Sequence, residues 1–274
     1  MAWLELMLKM PPPEQEVWIA KLAEEGFDSF LEEESALKAY VLEEVLTIQQ
    51  TEQLLKDMGL VNEYSISKIP DQNWNNVWES NFQPVTIAGK IHIRAPHHHK
   101  KSGYPTIELL IQPKMSFGTG HHATTSLVLE WLLEVPVLNK SLLDFGCGTA
   151  ILAIAAQKLG ASPVMAVDND PQCILNSEEN IQLNDTDDIK IRLGDVNAVG
   201  SIVFDIIVAN ITRNVLLQFA GDIEKKLKNG GLFITSGFYL EDLDILVKSF
   251  SRMGLDMIGS KSQDKWCAAF FKKN

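Results

Sequence analysis

The chain has 274 residues, 46% of them hydrophobic and 22% charged, which describes an ordinary globular protein of one large domain or two unequal ones. No apolar run reaches the roughly 18 residues of a membrane span, and Met1–Glu5 lacks the basic and apolar regions of a secretory signal. Cys147, Cys173 and Cys267 are too few and too scattered for a disulfide framework or a CxxC metal site, so a cytoplasmic, reducing setting is expected.

Trp3 to Leu8 reads as a strand, and Pro11-Pro12-Pro13 introduces a helix running to about Glu25, with Val17, Trp18, Leu22 and Ala23 at helical spacing. Phe27–Leu31 and Ala36–Leu42 follow as strands. Thr47 caps a second helix that ends at Gly59, and Val61–Ile69 is a last strand. The sum is β-α-β-β-α-β, the ferredoxin-like pattern of a small α+β domain over residues 1–70. This stretch holds 14 acids and 5 lysines, most of the chain's net charge of −12. Such a front end attracts basic partners and repels nucleic acid, unless the acids are merely solvated helix faces.

Residues 71–83 read as a linker helix with Trp74, Trp78 and Phe82 on one stripe, best explained by packing. Residues 84–274 form the larger domain. It begins with two strands, Pro84–Arg94 and Thr106–Gln112, joined by a turn rich in His and Lys. From Leu142 onward, strands at 142–145, 164–167, 189–193, 205–209 and 232–235 alternate with helices near 149–159, 171–183, 213–228 and 240–253. That alternation predicts an α/β, doubly wound, mostly parallel Rossmann-like sheet of seven strands. Leu255–Ser260 and Trp266–Phe271 complete it as an antiparallel pair.

The segment Leu142-Leu143-Asp144-Phe145-Gly146-Cys147-Gly148 carries a strand directly into a helix through glycines. Dinucleotide binders need a third glycine where Ile151 stands. The pattern D-x-G-x-G instead suits S-adenosyl-L-methionine, with Asp144 an anchor for its α-ammonium group. Asp168 ends the next strand, where a carboxylate accepts ribose hydroxyls, and Asp195 follows the third strand, placed for an adenine amino group.

Two more segments, Met115–Thr125 and Val208-Ala209-Asn210-Ile211, make the chain resemble the bacterial ribosomal large-subunit protein eleven methyltransferase family. Asp144–Ala156, Gly231–Gly237 and the Trp74–Trp78–Phe82–Pro84 pattern share the likeness, which spans nearly the whole chain. The resemblance implies a class I methyltransferase that consumes S-adenosyl-L-methionine and releases S-adenosyl-L-homocysteine. It implies trimethylation of lysine side chains and of the N-terminal amine of a basic ribosomal protein docked by the N-terminal domain. By position, its cofactor contacts fall on Thr125, Gly146, Asp168 and Asn210. One departure is Ala150, where the family's loop has a glycine; a helix first turn is expected to tolerate it.

Within that frame Asn210 is the candidate for positioning the amine, against a plainer role as a cap. Phe117-Gly118-Thr119-Gly120 is expected to form a flexible flap over the methionine end, and Gly148 to let the backbone approach the ligand. Thr125 is expected to cap the following helix. His97-His98-His99 and His121-His122 are adjacent residues without ligand spacing, so no metal is expected. Cys147 is expected to be a packed thiol. Alternatives are a lysine methyltransferase of another basic protein and a nucleic acid N-methyltransferase. Asn210 lacks the NPPY-type sequence of the latter.

Overall fold

The computed structural model describes residues 3–60, 64–69, 82–99, 107–114 and 116–274. The chain divides into two compact units, Met1–Asn76 and Val77–Asn274. Most of the expected linker helix, including Trp74 and Trp78, lies outside the described residues; Phe82 is buried.

The first unit runs β1 (Trp3–Lys9), α1 (Pro12–Glu24), β2 (Ser29–Glu32), β3 (Ala36–Leu42), α2 (Ile48–Asp57) and β4 (Tyr64–Ile69). Its strands pair antiparallel in the order β2-β3-β1-β4. This is the split-βαβ order that the alternation predicts. Period-two patterning turns Leu4, Leu6 and Leu8 into the core while Trp3, Glu5 and Met7 take the other face. Thr47 caps α2 through a capping box, accepting from Gln50 N at 3.3 Å while Gln50 Oε1 accepts from Thr47 N at 2.9 Å. Such a cap contributes about 1 kcal/mol.

The second unit opens with a three-stranded sheet of β5 (Val85–Ile87), β6 (Ile91–Arg94) and β7 (Ile107–Leu110). Here the sequence reading needs correction. Ala88 and Gly89 both take positive φ and break the first expected strand into a hairpin. β7 then pairs parallel to β6, so the two strands are not the arms of a tight hairpin.

The large sheet has the order β10-β9-β8-β11-β12-β14-β13. Its strands are β8 (Leu142–Phe145), β9 (Val164–Asp168), β10 (Lys190–Leu193), β11 (Phe204–Asn210), β12 (Leu227–Tyr239), β13 (Leu255–Gln263) and β14 (Trp266–Lys273). The five from β8 to β12 are parallel; β14 runs antiparallel between β12 and β13. Successive residues alternate between two cores. Leu142, Val164, Ile206 and Val208 pack with α3 (Ala123–Glu134), α4 (Ile151–Lys158) and α5 (Pro171–Leu183). Leu143, Val167, Ile207 and Phe233 pack with α6 (Arg213–Gln218), α7 (Ala220–Lys226) and α8 (Leu243–Ser251). Both faces are covered, which is why these strands read as apolar runs.

Helices α6 and α7 replace the single helix expected over 213–228, because the chain breaks at Phe219 to stack that ring edge-on against Phe145, 5.4 Å away. Helix α3 does not start at Thr125. His122 is its N-cap, and Thr125 is its third residue, wholly buried.

Candidate active site

The sheet's strand order reverses between β8 and β11. In open α/β sheets ligands bind beside such a switch point, at the carboxyl ends of the strands. A cavity of about 570 Å³ lies there, lined by Phe117, Gly146, Gly148, Asp168, Asp195 and Asn210 among others. Six of the ten residues singled out from the sequence therefore meet in one place.

The glycines are dictated by neighbours. Gly146 and Gly148 take φ of +75° and +57°, and a Cβ on Gly148 would stand 2.2 Å from Phe117 O. Only glycine fits there without displacing backbone. The segment before α3 is fastened to this loop: Thr149 N donates to Phe117 O at 3.0 Å and Thr149 Oγ1 to Gly118 O at 2.5 Å. Gly118 and Thr119 thus hold the segment's course behind the cavity wall, and Phe117's half-exposed ring is what reaches the cavity. The glycines there serve close approach, with a Cβ on Gly120 falling 2.4 Å from Ile93 Cδ1.

Asp168 works on both sides of the wall. Its Oδ2 accepts from Gly148 N at 2.9 Å and its Oδ1 from Asp170 N at 3.0 Å. Each oxygen keeps a lone pair for a ligand hydroxyl. Asp195 caps a short 3₁₀ turn through Asn197 N at 2.7 Å and borders the same cavity.

Asp144 is placed differently from the expectation. Strand alternation sends Phe145 to the cavity side and Asp144 to the opposite face, beneath α4. There it is fully buried and accepts from Ala153 N at 3.0 Å. Burial raises its carboxyl to about 7, against the opposing Ala153 N–H. Its Oδ1 has no protein partner, so Asp144 supports the loop from below and does not border the cavity.

Asn210, at the end of β11, donates from Nδ2 to Thr125 Oγ1 at 3.2 Å. Thr125 stands behind Asn210 and fixes which way its amide faces. Asn210 Oδ1 is left buried without a partner. An unmatched buried acceptor costs about 1–3 kcal/mol.

Sequence reasoning missed several lining residues: Asn169, Cys173, Ile211, Val215 and Phe219. Asn169 and Ile211 were findable as the neighbours of Asp168 and Asn210; Cys173, Val215 and Phe219 depend on how α5, α6 and the break after α6 dock. Cys173, and not Cys147, is the thiol at the cavity. Cys147 is buried with its Sγ 3.5 Å from Ser177 Oγ, and burial pushes its pKa well up, as befits a packed thiol. Two asparagines on α5 also escaped notice. Asn180 Nδ2 donates to Thr149 O at 3.0 Å while its Oδ1 accepts from Gln112 N at 2.8 Å, and Asn184 brackets Leu110 in the same manner. They tie the glycine loop and β7 to one helix.

The histidines act as local structural groups. His122 Nδ1 accepts from Thr124 N at 3.3 Å, which puts the neutral ring's proton on Nε2; burial lowers its pKa. His98 Nδ1 accepts from Ala95 N at 3.2 Å.

Residues 13–274 match the family model described as ribosomal protein L11 methyltransferase. A protein of that name from Porphyromonas gingivalis is 44% identical over 257 residues, covering 92% of this chain and 88% of its own. Another from Phocaeicola vulgatus is 37% identical and covers 99% of both. Among solved structures, a ribosomal protein L11 methylase from Lactobacillus delbrueckii subsp. bulgaricus aligns with a TM-score of 0.65 at 26% identity, over 70% of this chain and 99% of its own.

Proposed function

The chain belongs to the ribosomal protein L11 methyltransferase family, and from that premise we propose that it methylates lysine side chains and the N-terminal amine of ribosomal protein L11, drawing on S-adenosylmethionine. The observation that carries the reading is the meeting of Asn210, the glycine loop and Asp168 around one cavity, with the buried Asn210 Oδ1 left without a protein partner. Asp168 offers two acceptor lone pairs to ribose hydroxyls, and Asp195 borders the space for an adenine. Gly146, Gly148 and Asn210 make up the rest of the proposed holding set, with Thr125, Asp144, Gly118 and Thr119 behind it.

When bound, the donor supplies an electrophilic methyl on a positive sulfonium. The residues of the chain prepare the acceptor. A free lysine titrates near 10.4 and arrives protonated. The apolar rings and side chains of Phe117, Phe145, Ile211 and Val215 disfavour a buried cation and lower that value, so the proton leaves to solvent. Asn210 Oδ1 then accepts a remaining N–H and aims the lone pair. Alignment of this kind accounts for most of the rate, with no obligatory general base. His122 is unsuited to that role, since its Nδ1 is already engaged and its Nε2 bears the proton.

The first unit is the proposed docking element. Glu14, Glu24, Glu25, Glu32, Glu33 and Glu34 are all exposed on it, a field that favours a basic ribosomal protein. The proposed substrate places the work in the cytoplasm. The test is incubation of the protein with methyl-labelled S-adenosylmethionine and a ribosomal extract, then mass spectrometry. Methyl groups on L11 amines are expected; label on RNA, on another protein alone, or nowhere would overturn the proposal.

A further inference from the structure

The outer edge of β7 is met by side chains. Ile107 N and Ile111 N donate to Lys90 O and Arg94 O on the β6 side, so Leu110 N and Gln112 N point the other way. Two buried asparagines, a turn apart along α5 and its C-cap, receive them. Asn184 Oδ1 accepts from Leu110 N at 2.9 Å, and Asn180 Oδ1 from Gln112 N at 2.8 Å. The two amides differ at their other ends. Asn184 Nδ2 returns to Leu110 O at 2.6 Å and to Asn180 O at 2.8 Å. Asn180 Nδ2 crosses to the glycine loop, donating to Thr149 O at 3.0 Å, and also reaches Asn176 Oδ1 at 3.3 Å. With donors and acceptor all engaged, the Asn180 amide has one orientation. Thr149 carries the connection onward, through its N to Phe117 O and its Oγ1 to Gly118 O. Asn180 and Thr149 are wholly buried, and neither lines the cavity.

We propose that Asn180 is a positioning residue for the methyl donor, acting through the glycine loop it holds and not by contact. The inference rests on S-adenosylmethionine as the ligand of the carboxyl-edge cavity. Gly146 and Gly148 have no side chains with which to hold their own course, and glycine backbone is the freest of all. The peptide planes of the loop must therefore be set from outside. Asp168 Oδ2 takes Gly148 N at 2.9 Å, and Ser177 Oγ, also on α5, donates to Gly148 O at 2.8 Å. Asn180 fixes the next carbonyl, that of Thr149. A turn of the chain at Thr149 would draw Gly148 N away from Asp168. It would carry Phe117 with it too, because Phe117 O and Gly118 O hang on the same threonine. One buried amide thus keeps the floor of the cavity and the ring at its rim in register. The position calls for an amide: it must give a hydrogen to Thr149 O and take one from Gln112 N at once, which neither a carboxylate nor a hydrocarbon of that size does.

The experiment measures S-adenosylmethionine affinity by calorimetry and the kinetics of transfer to L11, in the full chain and three variants. Asn180→Leu should raise the Kd for the donor about tenfold, equivalent to about 1.4 kcal/mol. The KM for the donor should rise with it, while kcat at saturating donor stays within about threefold of the parent's, the pattern of lost uniform binding. A merely structural role would do the reverse, since lost folded enzyme lowers kcat and leaves KM alone. Asn184→Leu is the matched control: it removes the same kind of bracket from β7 without touching the loop. It should lower the melting temperature comparably and leave the Kd within about twofold, the scatter of an independent site. Asn180→Asp keeps the size and the acceptor for Gln112 N but sets an oxygen against Thr149 O. At pH 8 it too should bind the donor more weakly, and it decides the matter if Asn180→Leu does not fold. Parental affinity in the Asn180 variants, a lowered kcat with KM unchanged, or an equal loss of affinity in Asn184→Leu overturns the inference. Failure of the parent to bind S-adenosylmethionine overturns the proposed function instead.

Discussion

The large sheet carries a cavity at each end, and the two are nearly equal in size: about 570 Å³ at the carboxyl edge and about 510 Å³ at the amino edge. The amino-edge cavity even holds more charge, with Lys140, Asp205, Lys228 and Lys272 on its wall. What separates them is how far their polar groups are already satisfied. At the amino edge Asp205 Oδ2 accepts from Lys228 Nζ at 2.8 Å, Ser141 Oγ at 2.6 Å and Ser141 N at 3.0 Å. At the carboxyl edge Asn210 Oδ1 is unmatched and Asp168 keeps acceptor capacity. Volume alone does not tell the two hollows apart; the state of the polar groups around them does.

That contrast can be broken from either end. The largest effect is expected from Asp168→Ala, which removes the proposed ribose acceptor and strands the Gly148 and Asp170 N–H groups. S-adenosylmethionine affinity by calorimetry should fall at least about hundredfold, from roughly 3 kcal/mol of lost charged hydrogen bonds. The melting temperature should fall as well. Affinity equal to the parent's would remove Asp168 from the site. Asn210→Ala should lower single-turnover transfer to L11 about hundredfold, the usual cost of misplacing a reactant; an unchanged rate would return Asn210 to the status of a cap.

At the amino edge a smaller effect is expected, on stability and not on transfer. Burial raises the Asp205 carboxyl, but hydrogen bonds from Lys228 and Ser141 outweigh it and bring the value down to about 2 from 3.8. A depressed folded-state value stabilises above the unfolded one and is lost as pH falls through the folded one. Urea unfolding should therefore show Asp205→Asn about 1 kcal/mol less stable at pH 5, after allowance for screening of the half-exposed lysine. The gap should close as pH approaches 2. A gap that persists there would assign the effect to something other than charge. The smallest effect concerns Ala150, which is the N-cap of α4 and not part of its first turn, with φ of +60°. Left-handed alanine costs about 1–2 kcal/mol, offset by about 0.8 kcal/mol for its buried methyl. Ala150→Gly should raise stability by a few tenths of a kcal/mol; a lower melting temperature would show that the methyl outweighs the strain.

The same contrast marks what was legible in the sequence. Strands β8 to β11 were readable because burial on both faces forces unbroken apolar runs, and the acids at their ends stand out against them. Gly146, Asp168 and Asn210 were accessible for that reason. Asp144 was found but assigned to the wrong side, although alternation past Phe145 contains the answer. The hairpin at Ala88-Gly89, the break at Phe219 and the service of Asn180 and Asn184 were not legible. Each depends on which element a residue meets after folding, and no local period encodes that.

Strand β14 has a further consequence. It is later in sequence than both of its neighbours, and β13 has no other partner in the sheet. The hairpin therefore joins the sheet only through the ladder between β14 and β12, and the pairing of Trp266 with Tyr239 rests on that ladder. The cavity-lining residues run from Phe117 to Phe219, all earlier in the chain than β12, β13 and β14. Pocket and hairpin are thus drawn from separate stretches of sequence, and a change in one can be made without rewriting the other.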